Sequence, residues 1–244
     1  MKHVLSALQF LTILPLPFRQ SAPLRFSGMV ASFPLAGLLL GLLLAGTDAL
    51  LCRLFPATVC GVLLVVLLAL VTGGLHLDGL ADTADGIGSG KDRERTLEIM
   101  RDSRIGAMGV IALIAVFLMK ISFLSLLLGP GRWKALLLFP VLGRWAIAYA
   151  ITVFPYARSE GKALSFFQET TPAALVIATL LAGGAAFSLL GNAGLAALLA
   201  AGICAHSTCS IVRKRIDGIT GDTLGAVNEL CETASLAVLA VFLR

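Results

Sequence analysis

The chain has 244 residues, 58% of them hydrophobic and 14% charged, with a formal net charge of +5. A mean hydropathy of +0.94 leaves too little polar surface to cover a water-soluble domain, so the composition points to an all-α polytopic membrane protein. No basic stretch is interleaved with aromatic residues, which argues against a nucleic-acid partner.

Residues 1–28 begin with Lys2 as the only cation among the first 18, and their apolar stretch ends in "LPLPF" without a small-x-small cleavage pattern. A cleaved signal peptide is therefore not expected. An amphipathic or re-entrant segment lying against the membrane is. Seven runs of about 20 apolar residues, the length that crosses roughly 30 Å of hydrocarbon as a helix, follow at 29–51, 57–75, 105–128, 134–153, 172–190, 193–212 and 224–243. They form a single integral membrane domain over 1–244, with polar motif regions at 76–104 and 213–232.

The first run contains "GLLLG" (Gly37 to Gly41), a small-xxx-small spacing that lets helices approach closely and leaves a homo-oligomer open. Asp48 in this run and Lys120 in the third both map to the outer third of their spans, and a pair between them is the simple expectation. Arg144, in "GRWA" near the middle of the fourth run, needs a carboxylate or a phosphate at that depth. Cys52, Cys60, Cys204, Cys209 and Cys231 form no C-x-x-C. They are expected to pack as small apolar residues, not to build disulfides or, with His206, a zinc site.

Three polar blocks stand out. In "GGLHLDGLADTADG" (Gly73 to Gly86), a helix continuing past His76 puts Asp78, Asp82 and Asp85 within about 60° of one another on one face. Like charges at this spacing repel unless a cation lies between them. A hard divalent ion suits such a stripe, and magnesium commonly takes one or two carboxylates together with substrate phosphate. In "RDSRIGAMG" (Arg101 to Gly109), Arg101 and Arg104 are candidate phosphate contacts beside Asp102. In "DGITGDTLGAVNELCE" (Asp217 to Glu232), Asp222 and Glu229 share a face with Glu232 nearby. Glu229 and Glu232 lie one to two turns inside the last span, where ionisable groups default to a functional or paired role. Together the blocks outline one acidic cavity closed by three helix ends.

With the N-terminus inside, inner segments hold thirteen Lys and Arg residues (Lys2, Arg19, Arg25, Lys91, Arg93, Arg95, Arg101, Arg104, Arg158, Lys162, Arg213, Lys214 and Arg215). Outer segments hold four, Arg53, Arg132, Lys134 and Arg244. The bias predicts that the acidic motifs face the cytoplasm.

The three blocks, with "FLTILPLP" near the start, closely resemble the cobalamin synthase family, the adenosylcobinamide-GDP ribazoletransferases, in the right order along essentially the whole chain. The resemblance implies a magnesium-dependent enzyme of the bacterial or archaeal cytoplasmic membrane. It would join adenosylcobinamide-GDP to α-ribazole or its 5′-phosphate, releasing GMP. A ribose hydroxyl must then attack a diphosphate, which calls for a metal, positioning and a base. Asp78, Asp82 and Asp85 are the expected metal ligands, Asp82 and Asp102 catalytic, and Asp222 or Glu229 the candidate base. His76, Arg101, Arg104, Arg144 and Glu232 are expected substrate contacts.

CDP-alcohol phosphotransferases offer a mechanistic analogy, but their D-G-x-x-A-R step is not met, since Asp82 follows Ala81 where arginine is expected. An ion-coupled transporter would place its acids near the midplane of two related halves, and an acidic-motif prenyltransferase would need a long apolar channel.

Overall fold

The computed structural model describes residues 2–15, 26–161 and 163–243. Among these the chain is all-helical: α1 (Lys2–Leu11), α2 (Phe26–Ala31), α3 (Phe33–Leu51), α4 (Ala57–Val71), α5 (Leu75–Gly88), α6 (Arg93–Ile99), α7 (Ala107–Leu126), α8 (Gly131–Val153), α9 (Leu164–Glu169), α10 (Pro172–Ile216) and α11 (Gly221–Leu243). Met1, residues 16–25, Lys162 and Arg244 lie outside this description, and with them part of the expected 1–28 segment, the "LP" at 16–17 and the cations Arg19 and Arg25.

Helices α3, α7, α8, α10 and α11 are each long and apolar enough to cross a bilayer. The number becomes six if α4 and α5, bent by 90° across their break, count as one span. Leu118, Leu180 and Leu199 remain largely exposed on the outer surface, as a bundle facing hydrocarbon requires, since each helix satisfies its backbone internally. The chain is thus a multi-pass membrane protein.

Two breaks in the helices matter. The run 57–75 is not one straight helix: it stops at Val71 and resumes at Leu75. The run from 172 to 216 is continuous by hydrogen bonding yet reverses at Gly191, whose backbone (φ 54, ψ −129) is open only to glycine. Ala186 and Gly194 meet across that turn, so α10 is two antiparallel arms, 172–190 and 192–216, answering to the fifth and sixth expected runs. Alanines at 174, 178, 182 and 186, then 197, 201 and 205, are buried along them, letting backbones pack closely.

Helix α8 is the axis, with every residue from 135 to 148 buried, and α3, α10 and α11 pack around it. A Cβ at Gly41 would stand 2.6 Å from the Leu137 carbonyl, and one at Gly37 would strike Pro140. The "GLLLG" spacing is therefore spent inside the chain, on the α3–α8 contact, and gives no support to a homo-oligomer.

The expected Asp48–Lys120 pair does not form. Asp48 accepts two hydrogen bonds from Arg132 of α8, at 2.8 Å each (Nε to Oδ2, Nη2 to Oδ1). Arg132 also donates to the Leu124 and Leu127 carbonyls, occupying the open end of α7. Arg132, read from sequence as a loop cation, is thus a buried clamp joining α3, α7 and α8.

Replacing Asp48 by Asn leaves Arg132 buried without its counter-charge, at a cost of about 3–5 kcal/mol. The detergent-solubilised variant is expected to melt well below the parent, and the double variant Asp48→Leu/Arg132→Met to recover at least half of the loss. A single variant as stable as the parent would show that the clamp contributes nothing.

Candidate active site

The bend at the end of α4 is made by Gly73 and Gly74, both left-handed (φ 61 and 70), a conformation other residues adopt only with strain. It turns α5 by 90° from α4 and lays it across the beginnings of α7 and α11. There the backbones nearly touch. A Cβ on Gly79 would sit 2.5 Å from the Asp222 carbonyl, and one on Gly225 2.8 Å from that of His76. This crossing brings Asp78 and Asp82 of α5 beside Asp222 of α11.

The stripe Asp78, Asp82, Asp85 is helical as expected, but its three members have different work. Asp85 accepts from the Gly106 and Gly109 amides at 2.7 and 2.8 Å, capping the positive end of α7. Each of its oxygens already accepts one backbone amide, whereas Asp78 and Asp82 have no such cap among the described residues. Asp82 is half-buried, and desolvation, then the charges of Asp78, Asp222 and Asp85, push its carboxyl up to about 7 against the opposing Arg158. Asp222 accepts from Arg158 Nη2 at 3.0 Å and from the Thr220 hydroxyl at 3.3 Å, both at Oδ2.

The donors Asp78, Asp82 and Asp222 offer oxygen alone and repel one another, which fits a hard divalent cation. They do not form a closed cage. The triad of ligand atoms within 4.8 Å of one another, among the described residues, is instead Asp48, Cys52 and Cys60, where Asp48 is already committed to Arg132.

The single acidic cavity expected from the three blocks divides in two. Glu229 and Glu232 are buried in the bundle, where Lys120 Nζ reaches Glu229 Oε2 at 2.6 Å and Glu232 Oε2 at 2.5 Å. Arg144 pairs with Glu232, and the Asn228 amide donates to Glu229 at 3.1 Å. Glu229, Glu232 and Arg144 thus have partners within the bundle: two cations neutralise two carboxylates, as burial in hydrocarbon requires. His76 lies beside this network, 3% exposed. Neither of its ring nitrogens has a hydrogen-bond partner among the described residues.

Asp102 is engaged by a near neighbour in the chain. It sits on the turn before α7, bound by Arg104 at 2.6 Å, whose hydrogen bonds hold its carboxyl at about 2. Arg104 is neutralised in turn. Arg101, by contrast, is exposed and close enough to act on Tyr156, with no ion pair of its own among the described residues.

Sequence reasoning missed Arg158 and Tyr156, counting Arg158 only as a loop cation. Nothing in their spacing marks them. They reach the site because the segment after α8 pairs with the one before α11, Ala157 N donating to Ile219 O and Ile219 N to Pro155 O, both at 2.9 Å. Arg93 reinforces that seam by donating to the Ala157 carbonyl at 2.9 Å.

Two spaces meet at Asp78. One is a partly open cavity of about 300 Å3 bounded by Phe10, His76, Ile147, Arg158, Phe166 and Asp222. The other is an open groove of about 650 Å3 along Thr12, Gly73, Leu77, Ala81 and Ile105.

The chain matches the family model described as cobalamin-5-phosphate synthase over residues 3–240. Proteins described as adenosylcobinamide-GDP ribazoletransferase are similar along nearly their whole length. That of Desulforamulus reducens is 41% identical, over 93% of this chain and 91% of its own. That of Geotalea daltonii is 40% identical, over 96% and 94%, and that of a Roseiflexus species 42%, over 96% and 88%. No solved structure matches the chain.

The raised Asp82 carboxyl has a measurable sign. The folded protein keeps a proton that the unfolded chain, with its usual 3.8, releases, so this group's contribution to stability is lost as pH rises from about 4 to about 7 and is level above. Metal-free protein should show that decline in melting temperature, and Asp82→Asn should flatten it. An identical slope in the two proteins would remove the charge cluster from the account.

Proposed function

The chain belongs to the cobalamin-5-phosphate synthase family, and from that premise we propose that this membrane transferase joins adenosylcobinamide-GDP to α-ribazole or its 5′-phosphate and releases GMP. The observation that carries the reading is the crossing of α5 and α11, which gathers Asp78, Asp82, Asp222 and Arg158 where a smaller cavity meets a wider groove. Two substrates must meet in this reaction, and two spaces meet at these side chains.

In the proposed reaction the ribose hydroxyl oxygen bonds to the corrinoid-linked phosphorus, the bond from that phosphorus to the GMP oxygen breaks, and the hydroxyl proton leaves to a carboxylate. Asp78 and Asp82 are the proposed magnesium ligands. Magnesium, when bound, would draw charge from the phosphoryl oxygens of the diphosphate. Asp222 is the proposed base: its Oδ1 has no partner among the described residues, while Arg158 and Thr220 fix its orientation through Oδ2. Arg101 and Arg158 supply positive charge for the anionic substrate at the rim. We infer further that this end of the bundle faces the cytoplasm, since the inner segments carry the Lys and Arg excess. Ser89 and Lys214, replaced by cysteine, should then resist labelling from outside intact cells.

The test is purified enzyme with adenosylcobinamide-GDP, α-ribazole and magnesium, followed for GMP. Asp82→Asn is expected to fold normally and lose turnover by about two orders of magnitude or more. Asp102→Asn, on an outlying turn, is expected to stay within a few-fold of the parent. Full activity after exhaustive chelation would end the magnesium assignment, and near-normal GMP release by well-folded Asp82→Asn would end the assignment of the stripe.

A further inference from the structure

The second arm of α10 turns Leu195, Leu199, Ile203 and Ile211 outward. Between this arm and α8 runs an open groove of about 540 Å3, walled by Trp145, Tyr149, Leu195, Leu199, Ile203 and His206. It is deepened where Gly202 faces Trp145, since a Cβ there would stand 3.4 Å from the indole. In a bilayer such a groove is filled from the lipid side, because an empty one forfeits dispersion contacts along both walls. Trp145 and Tyr149 lie on the face of α8 opposite Ile147 and Ile151, which line the cavity beside Asp222.

Along this face the side chains follow the order of a phospholipid's parts. Leu195 to Ser207 span about 18 Å of helix at 1.5 Å per residue, about one leaflet of a hydrocarbon core roughly 30 Å thick. At the end of that stretch stand polar groups. The Tyr149 hydroxyl and His206 Nδ1 lie 2.9 Å apart, while His206 Nε2 and the Ser207 hydroxyl, both on exposed residues, have no partner among the described residues. Arg213 follows His206 by seven residues, two turns along the same face, with Lys214 beside it. Both cations are exposed, and neither has an ion pair among the described residues. The acid nearest in sequence, Asp217, is already taken by Arg93 at 3.2 Å, so the positive charge at the mouth of the groove is left uncompensated.

We propose that this face binds one anionic phospholipid, its phosphate at Arg213 and Lys214, its ester oxygens at His206 and Ser207, and one acyl chain in the groove between α8 and the second arm of α10. The apolar walls accept any chain of suitable length. Selectivity comes from the two cations, which gain more from a lipid of net negative charge than from a zwitterionic one. With Tyr149 donating to Nδ1, His206 carries its proton on Nε2 and presents it to an ester carbonyl. The site stands independently of the transferase reading above.

Tryptophan quenching in reconstituted bilayers tests this without turnover. The chain has two tryptophans, and Trp133→Phe, at an exposed position, leaves Trp145 to report on the groove. The probes are phosphatidylglycerol and phosphatidylcholine with matched chains, mixed, with bromine on the chains of one or the other to quench the indole they touch. Trp145 should be quenched as by a site that prefers phosphatidylglycerol about tenfold, a preference that narrows in high salt. Adding Arg213→Gln and Lys214→Gln should bring the preference to within about twofold while quenching by either lipid persists. Gly202→Phe, which fills the groove, should lower quenching by both. Absence of quenching by either brominated lipid overturns the chain site. Equal quenching by the two in high and low salt means ordinary boundary lipid only and overturns the headgroup assignment even if no variant folds. A preference that survives the double glutamine variant overturns the role of the two cations, and one abolished by inorganic phosphate at constant ionic strength shows that they bind a free anion instead.

Discussion

Two carboxylates and two cations in the apolar bundle set the positions of almost everything else. Lys120, Arg144, Glu229 and Glu232 come from α7, α8 and α11. None of the four can be left alone in hydrocarbon without a large desolvation penalty. The network therefore fixes the rotation of α11 about its own axis. Asp222 lies seven residues before Glu229, two turns along the same face, so locking Glu229 against Lys120 also decides which way Asp222 points. Gly143 completes the arrangement, because a Cβ there would stand 2.7 Å from Glu232 Cγ. The reactive end of α11 is oriented by charges that touch no substrate.

The second requirement is that the acids stay out of the lipid while remaining attached to it. A straight continuation of α4 would have carried Asp78 and Asp82 along the bundle axis. The Gly73–Gly74 turn instead lays α5 across the ends of two spans, where Asp85 caps α7 and Gly79 lies against α11. One helix thus has three contacts of different kinds. Its apolar face, through Leu80, packs with Val116 and Ala226. Its far end ties down α7, and its acidic face is left for chemistry.

How much of this the sequence discloses depends on the range of the interaction. Apolar runs and the helical spacing of Asp78, Asp82 and Asp85 are local properties, and both appear in the structure as helices. The turn at Gly73–Gly74 was visible as a glycine pair but was overridden by the apolar run around it. Partner choice among distant charges is not local: Asp48 lies near Lys120 by depth, yet pairs with Arg132, whose position beside α7 emerges only when α3 and α8 pack. Glu229 and Asp222 look alike on a helical wheel, and only the arrival of Lys120 separates a structural carboxylate from an available one. Arg158 had no signal at all, because its place depends on two backbone hydrogen bonds between segments 62 residues apart, Ala157 to Ile219.

That seam has a consequence for motion. The segment carrying Arg158 is joined to the start of α11 by two amide hydrogen bonds and the Arg93 contacts, neutral bonds for the most part, at the end of the bundle. Parting it exposes peptide groups that solvent can satisfy, so local opening there is cheap. Parting α7 from α11 would strand Lys120 among lipid tails. Separating the segment around Arg158 from α11 is therefore the less costly of the two movements, and the charged spine of the bundle resists the other.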